Sequence, residues 1–203
     1  MITLHHLRIS RSSRIIWLLE ELGLEYDLKC YDRTPEFRAP PELKAVHPLG
    51  KAPTVEVDGR VMVESGAIIE YLVERHGGGK LAVPDDQRSA YLEWLHFAEG
   101  SLAMPIILNS LEPMFGGYND RLKGFVGGEV TKQLGYMEDH MTGRDWLLGE
   151  TFTGADVNMG YLMEHMQAAR LLETCPALKA YRDRLVARPA YQKMLEIGGP
   201  LRP

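Results

Sequence analysis

The sequence predicts an α/β layer of about eighty residues followed by an all-helical region. Three observations predict it. The apolar pattern from Ile2 to His76 reads strand, helix, strand, then two strands and a helix. A run of three glycines, Gly77 to Gly79, closes that pattern. Beyond it no convincing strand is found, and long segments carry apolar residues at helical spacing.

Ile2 to Leu7 reads as the first strand. Near Ser12 the period changes, and Ile15, Ile16, Leu18, Leu19 and Leu22 form one face of a helix that stops at Gly23. Tyr26 to Tyr31 is the second strand. The polar stretch with Pro35, Pro40 and Pro41 has room for a short helix. Asp58-Gly59, between Pro53–Val57 and Arg60–Val63, is a strong hairpin signal. Ser65 stands where an N-cap is expected, and Ile68, Ile69, Leu72 and Val73 line a helix to about His76.

Lys80 to Asp86, with Pro84, reads as a linker. The expected division is therefore residues 1–79, a linker at 80–86, and a helical domain at 87–203. Helices are expected over Ser89–Phe115, Asn119–Thr142, Gly154–Leu172 and Pro176–Ala187, with a short one at the C-terminal end. Pro105 removes a backbone donor and should kink the first of these. Gly124, Gly127, Gly128 and Gly135 weaken the second. Thr153-Gly154-Ala155-Asp156 is a capping box with Asp in the usual Glu position, flanked by Phe152 and Val157 at staple spacing.

Composition narrows the function classes. The chain has 203 residues, 45% hydrophobic content and a formal charge of −5, with a pI near 5.8. That balance disfavours a nucleic-acid partner. No apolar run approaches the length of a membrane span, and the first residues lack a signal peptide's basic start and apolar stretch. The expectation is a soluble, cytoplasmic protein with no membrane partner. Cys30 and Cys175 fit neither a disulfide framework nor a zinc site, and no metal is expected.

Three separated pieces carry chemistry. Glu64-Ser65 opens a helix, where backbone N–H groups and the serine hydroxyl suit a carboxylate and Glu64 suits an ammonium. A plain helix cap with a solvent-facing Glu is the competing account. In Lys51-Ala52-Pro53, a cis Pro53 would present the Ala52 backbone to a peptide ligand in strand fashion, with Lys51 near a terminal carboxylate. A strand-start proline beside a solvated lysine is the alternative. Ser10-Arg11-Ser12-Ser13-Arg14 leads into a helix N-terminus, where a serine hydroxyl and positive potential lower a thiol pKa. One of the three serines must cap the helix, so the open question is which is spare.

SRSSRIIWLLEELGLEY, HPLGKAP and ESGAIIEYL resemble the three signature stretches of cytosolic glutathione transferases, in that family's order. TGADV resembles the family's capping motif in its helical domain. The likeness is to the serine-type, bacterial and fungal-like subgroup. It implies a thioredoxin-like domain plus an all-α domain, a homodimer, and glutathione as co-substrate with no separate cofactor. It also implies a role in detoxification. By resemblance the thiol-activating serine falls on Ser10, four residues before Arg14, with Arg11 beside it as a second catalytic candidate. Glutathione binding falls on Lys51, Ala52, Pro53, Glu64 and Ser65. No tyrosine or cysteine occupies the catalytic position, and His47 stands where the family often has Asn. His5 and His6 fit no known role.

Candidates for the second substrate are Ile9, Met104, Leu108 and Phe115, with Met163 and Met166 behind them, in a site expected between the domains. Methionine suits varied apolar ligands, although such a stripe also reads as core. The function implied is conjugation of the glutathione thiolate to small apolar electrophiles. A glutathione-dependent peroxidase, isomerase or dehalogenase, or a non-catalytic glutathione-binding protein, uses the same fold.

Overall fold

The computed structural model describes residues 1–201. They divide into two compact units. The first comprises Met1–Ala82 and the segment from Ala187 onward; the second is Val83–Val186.

In the first unit, β1 (Thr3–Leu7), α1 (Ser13–Leu22) and β2 (Asp27–Tyr31) form a parallel β-α-β opening. A short α2 (Glu42–Val46) follows, then the hairpin β3 (Thr54–Val57) and β4 (Arg60–Val63), and then α3 (Ser65–His76). The sheet order is β2-β1-β3-β4. The hairpin closes on Val57 opposite Arg60. Asp58 and Gly59 take φ of 50° and 73°, the pair of left-handed residues that a two-residue turn needs to match strand twist. Gly23 likewise ends α1 at φ 69°, its N–H returning to the carbonyls of Leu19 and Glu20.

The core of this unit is Leu4, Ile15, Ile16, Leu18, Leu19, Val55, Ile68, Ile69 and Leu72, all buried. Its other cover is α9 (Pro189–Gly198), which packs on α1. Trp17 meets Tyr191 edge-to-face at 5.0 Å. Glu21 receives the Trp17 indole N–H at 2.8 Å and both Arg188 nitrogens at 2.6 and 2.8 Å. The expected C-terminal helix is thus present, and it groups with the α/β unit rather than with the helical one.

The second unit holds α4 (Arg88–Phe97), α5 (Ala103–Leu111), α6 (Asp120–Met141), α7 (Gly154–Ala168) and α8 (Pro176–Val186). The long helix expected from Ser89 is divided. Ala98–Leu102 forms a π-helical turn, and Glu112–Phe115 tightens into a 3-10 turn. Pro105 has no N–H for the Ser101 carbonyl and its ring crowds it, so the distortion falls on the turn just before. The four glycines do not interrupt α6, which Asn119 caps by accepting the Leu122 N–H. α7 ends at Ala168, and Leu171–Thr174 is a separate 3-10 turn.

The capping box forms as the sequence predicts. Asp156 is fully buried and its carboxylate accepts four donors: the backbone N–H groups of Leu147 and Thr153 and the hydroxyls of Thr153 and Tyr181. Burial pushes this carboxyl up from its ordinary range, and the four hydrogen bonds pull it back. Met163 and Met166 are fully buried core residues of this unit.

Candidate active site

Sheet topology gathers the three pieces at one edge of the first unit. β3 runs antiparallel to β1, with Thr54 opposite His5, and β4 runs antiparallel to β3, with Val63 opposite Thr54. The end of β1, the start of β3 and the end of β4 therefore share an edge. Ser10, Pro53 and Glu64 leave the sheet there.

The loop after β1 is held tightly. Ile9 has φ 57°, a conformation that a β-branched residue adopts only under constraint. Arg33 supplies the constraint by donating to the carbonyls of Arg8, Ile9 and Phe37, with its guanidinium 4.2 Å from the Phe37 ring centroid. Nothing in local sequence pattern pointed to Arg33, which lies 24 residues from Ile9.

The three serines are distinguishable. Ser12 is fully buried; its Oγ lies 2.8 Å from His6 Nδ1 and 2.7 Å from Ser10 Oγ, and it accepts the Leu7 N–H. Ser13 is buried and donates to the Ser10 carbonyl at 3.1 Å. Ser10 Oγ accepts the Ser12 N–H at 3.1 Å, a local turn bond just ahead of α1, whose N-cap residue is Ser12. At 7% exposure it is the most accessible of the three. Arg11 beside it is half-buried.

His6 closes the chain of contacts inward. It is buried, and its Nε2 donates to the Gly198 carbonyl at 3.0 Å. Burial holds its pKa below the ordinary imidazole value; the Gly198 carbonyl opposes that shift and the Arg8 charge adds to it. His5 faces a different set of partners, Tyr31 at 2.8 Å and Glu56 at 2.7 Å.

The Ala52–Pro53 peptide is cis. Thr54 Oγ1 donates to the Lys51 carbonyl at 2.8 Å and pins this loop from below. Among the described residues Ala52 uses neither backbone group in a hydrogen bond. Lys51 is exposed.

At the third piece one expectation needs correction. Glu64, not Ser65, occupies the N-cap position of α3, with φ 70°, and Ser65 is the first helical residue. The reason lies beneath the helix. Arg14 is 2% exposed, and its Nη1 donates to Ser65 Oγ at 3.0 Å. An Arg can only donate, so Ser65 Oγ accepts from it. The buried guanidinium and the α3 N-terminus add positive potential at one point, which suits a carboxylate. Glu64 is exposed beside it. The sequence reading used Arg14 only as a landmark; its burial is the signal that was missed.

Of the second-substrate candidates, Ile9 belongs to the first unit and the others to the second. Met104 and Phe115 are exposed and Leu108 is half-buried. No group of His, Cys, Asp and Glu suited to a metal ion occurs among the described residues. No helix among them is long and apolar enough to cross a membrane.

Comparison with known proteins meets this geometry. Residues 1–74 match the family model "Glutathione S-transferase, N-terminal domain", and residues 114–196 match "Glutathione S-transferase, C-terminal domain". The chain is 37% identical over 207 residues to glutathione S-transferase 3 of Schizosaccharomyces pombe, spanning 93% of this chain and 78% of that one. A glutathione S-transferase structure from Actinobacillus pleuropneumoniae superposes with TM-score 0.88 at 34% identity, covering 99% of this chain and 94% of that one. A glutathione transferase family member from Pseudomonas fluorescens, solved with two glutathione bound, gives TM-score 0.80 at 28% identity and covers 96% and 92%. With both family models matched in order along the chain, it belongs to the glutathione S-transferase family.

Proposed function

We propose that this glutathione transferase activates the glutathione thiol with the Ser10 hydroxyl and adds the thiolate to small apolar electrophiles. The observation that carries the reading is the difference among the serines. Ser12 is 0% and Ser13 1% exposed, while Ser10 at 7% is the most accessible of the three and lies at the end of the sheet from which Pro53 and Glu64 also leave. In this reading the γ-glutamyl carboxylate sits on Ser65 and the α3 N-terminus, with Arg14 beneath and Glu64 holding the ammonium. Ala52 pairs with the cysteinyl backbone, Pro53 shapes that loop, and Lys51 meets the glycyl carboxylate. Arg11 adds positive potential near the sulfur. Met104, Leu108, Phe115 and Ile9 offer apolar contact to the electrophile.

The energetics are modest. A free thiol near pKa 8.5 is only a few per cent ionised at neutral pH. A downward shift of about two units makes it mostly thiolate, a differential interaction of about 2.7 kcal/mol. Holding the electrophile beside it adds the proximity advantage. The reading extends to a cytoplasmic homodimer in detoxification, on the family resemblance; sedimentation should give about twice the 22.9 kDa chain mass.

The test is ultraviolet titration of the bound thiolate in Ser10→Ala, Ser12→Ala and Ser13→Ala, beside turnover with a panel of electrophiles, hydroperoxides and cis-enones. The expected result is the largest rise in thiol pKa in Ser10→Ala and turnover concentrated on the electrophiles. An unchanged pKa in Ser10→Ala overturns the serine assignment. Turnover confined to hydroperoxides or cis-enones replaces conjugation with peroxidase or isomerase chemistry.

A further inference from the structure

We propose that Ser10, Ser12 and His6 form a relay that carries the glutathione thiol proton inward to His6 Nδ1, a reading that rests on Ser10 contacting the sulfur. The Gly198 carbonyl can only accept, so the proton of neutral His6 sits on Nε2. Nδ1 is then a lone pair, and the group 2.8 Å from it is the Ser12 hydroxyl. Ser12 has one proton and two acceptors in reach, Nδ1 and the Leu7 carbonyl at 3.2 Å. The shorter contact and the lone pair on Nδ1 direct it to the imidazole. Ser12 Oγ therefore cannot donate to Ser10, and the 2.7 Å contact between the hydroxyls has Ser10 as donor.

With His6 neutral, the Ser10 proton thus points into the protein, one lone pair accepts the Ser12 N–H, and the other is left for an outside donor. That lone pair accepts a hydrogen bond from a thiol and offers no donor to a thiolate. The thiol proton resolves the mismatch. The S–H bond breaks as its proton bonds to Ser10 Oγ. The former Ser10 proton passes to Ser12 Oγ, and the former Ser12 proton passes to His6 Nδ1. No electron leaves or enters. The products are a thiolate receiving the Ser10 O–H, a Ser12 hydroxyl donating back to Ser10, and an imidazolium donating to Ser12 and to Gly198. Every polar atom in the chain is paired before and after, with each hydroxyl reversed.

The surroundings keep the acceptor ready. Burial keeps His6 neutral in the free enzyme. Arg8 is the charged group whose field acts on His6, and the residue opposite His6 on β2 is Cys30. α1 brings the Ser12 hydroxyl, and α9 brings the Gly198 carbonyl. Gly198 packs closely here: a Cβ would lie 2.8 Å from Ile16 Cδ1 and 3.3 Å from His6 Cε1 and Nε2, so a side chain at 198 would have to displace the Ile16 tip and crowd the imidazole. A new negative charge on the sulfur favours the imidazolium, so ionising the thiol and charging His6 support each other.

The experiment uses the full chain with 15N-labelled histidine. Ring-nitrogen NMR at neutral pH is recorded free, with glutathione, and with S-methylglutathione, which has no thiol proton. His6 is expected to pass from the Nε2–H pattern to the imidazolium pattern with glutathione only. In parallel, a pH indicator counts protons released per thiolate formed. The expectation is well under a full proton in the wild type and a full proton in His6→Asn, which keeps an acceptor oxygen near Nδ1 but cannot be protonated. A neutral His6 beside a bound thiolate overturns the relay, as does a full proton released by the wild type. Ser10→Ala separates the two readings. If it raises the thiol pKa while wild-type His6 stays neutral, Ser10 activation stands and the relay falls. If His6 still becomes charged in Ser10→Ala, the Ser10 assignment itself falls. The wild-type spectra decide the matter should His6→Asn fail to fold.

Discussion

Each unit buries a polar network at the start of a helix, α7 in one and α1 in the other, and these two are built on opposite principles. At α7, the Asp156 carboxylate can only accept, so all four of its contacts have a fixed direction. At α1, Ser10, Ser12 and His6 are joined by groups that both donate and accept, so direction is set by where one proton lies. The Asp156 network has no solvent-facing end. The α1 network ends at Ser10, beside the surface. A satisfied network of fixed polarity is a structural joint. A satisfied network of reversible polarity with one open end is equipped for chemistry.

The strongest way to break this contrast is Asp156→Ala. It leaves four buried donors without their acceptor, each costing about 1–3 kcal/mol if unmet, so the unfolding free energy should fall by about 3 kcal/mol or more. Urea denaturation measures this. In the fraction that stays folded, the bound-thiol pKa should match the wild type. A loss below about 1 kcal/mol would remove Asp156 from its structural role.

Ser10→Ala is the reciprocal case. Stability should change by about 1 kcal/mol, since the hydroxyl's hydrogen bonds with Ser12 are lost. The bound-thiol pKa should rise by about one to two units, because a hydrogen bond to a charged acceptor is worth about 1.5–3 kcal/mol. Ser65→Ala should weaken glutathione by about 1–3 kcal/mol in calorimetry, with a smaller effect on the pKa of whatever thiol is bound. Unchanged affinity would dissociate the α3 N-terminus from ligand binding.

A smaller effect concerns pH. His6 has a folded pKa below its unfolded value. The unfolded chain therefore binds more protons as pH falls below the ordinary imidazole value, and stability drops through that window. Its contribution is complete above that value. His6→Asn should flatten this part of the stability–pH curve, and an identical slope would show that His6 is not the group responsible. The smallest effect is expected for Cys30→Ala with Cys175→Ala. Neither thiol touches the Ser10 loop in any hydrogen bond, so conjugating activity should be retained in any folded fraction. Its loss with intact glutathione affinity would mean that the chemistry has been misassigned.

Much of this was legible because it is local. The hairpin turn, the Gly23 stop and the Thr153–Asp156 box depend on residues a few positions apart, and their side-chain chemistry dictates the backbone directly. The two-unit fold follows from a change of apolar period. What stayed hidden depends on distance along the chain. Arg14 reads as an ordinary helix charge until α3 is laid over it, 51 residues later. Arg33 reads as loop until β2 brings it beside β1. His6 had no assignable role because one of its partners is 192 residues away. The α8 start is another case: Glu138 on α6 accepts the N–H groups of Ala177 and Leu178, a cap that no local motif announces.

That long reach of α9 has a consequence in the time domain. Arg188 is 167 residues from Glu21, its partner on α1. At typical rates of synthesis the nascent chain waits on the order of ten to thirty seconds between making one and making the other. Through that interval the β-sheet and α1 can assemble, but the Trp17 face lacks Tyr191 and His6 lacks the Gly198 carbonyl. A fragment ending at Ala82 would hold all three signature stretches and still carry an unfinished proton path. The ribosome thus delivers the three signature stretches early and completes the contacts behind them only when the last helix arrives.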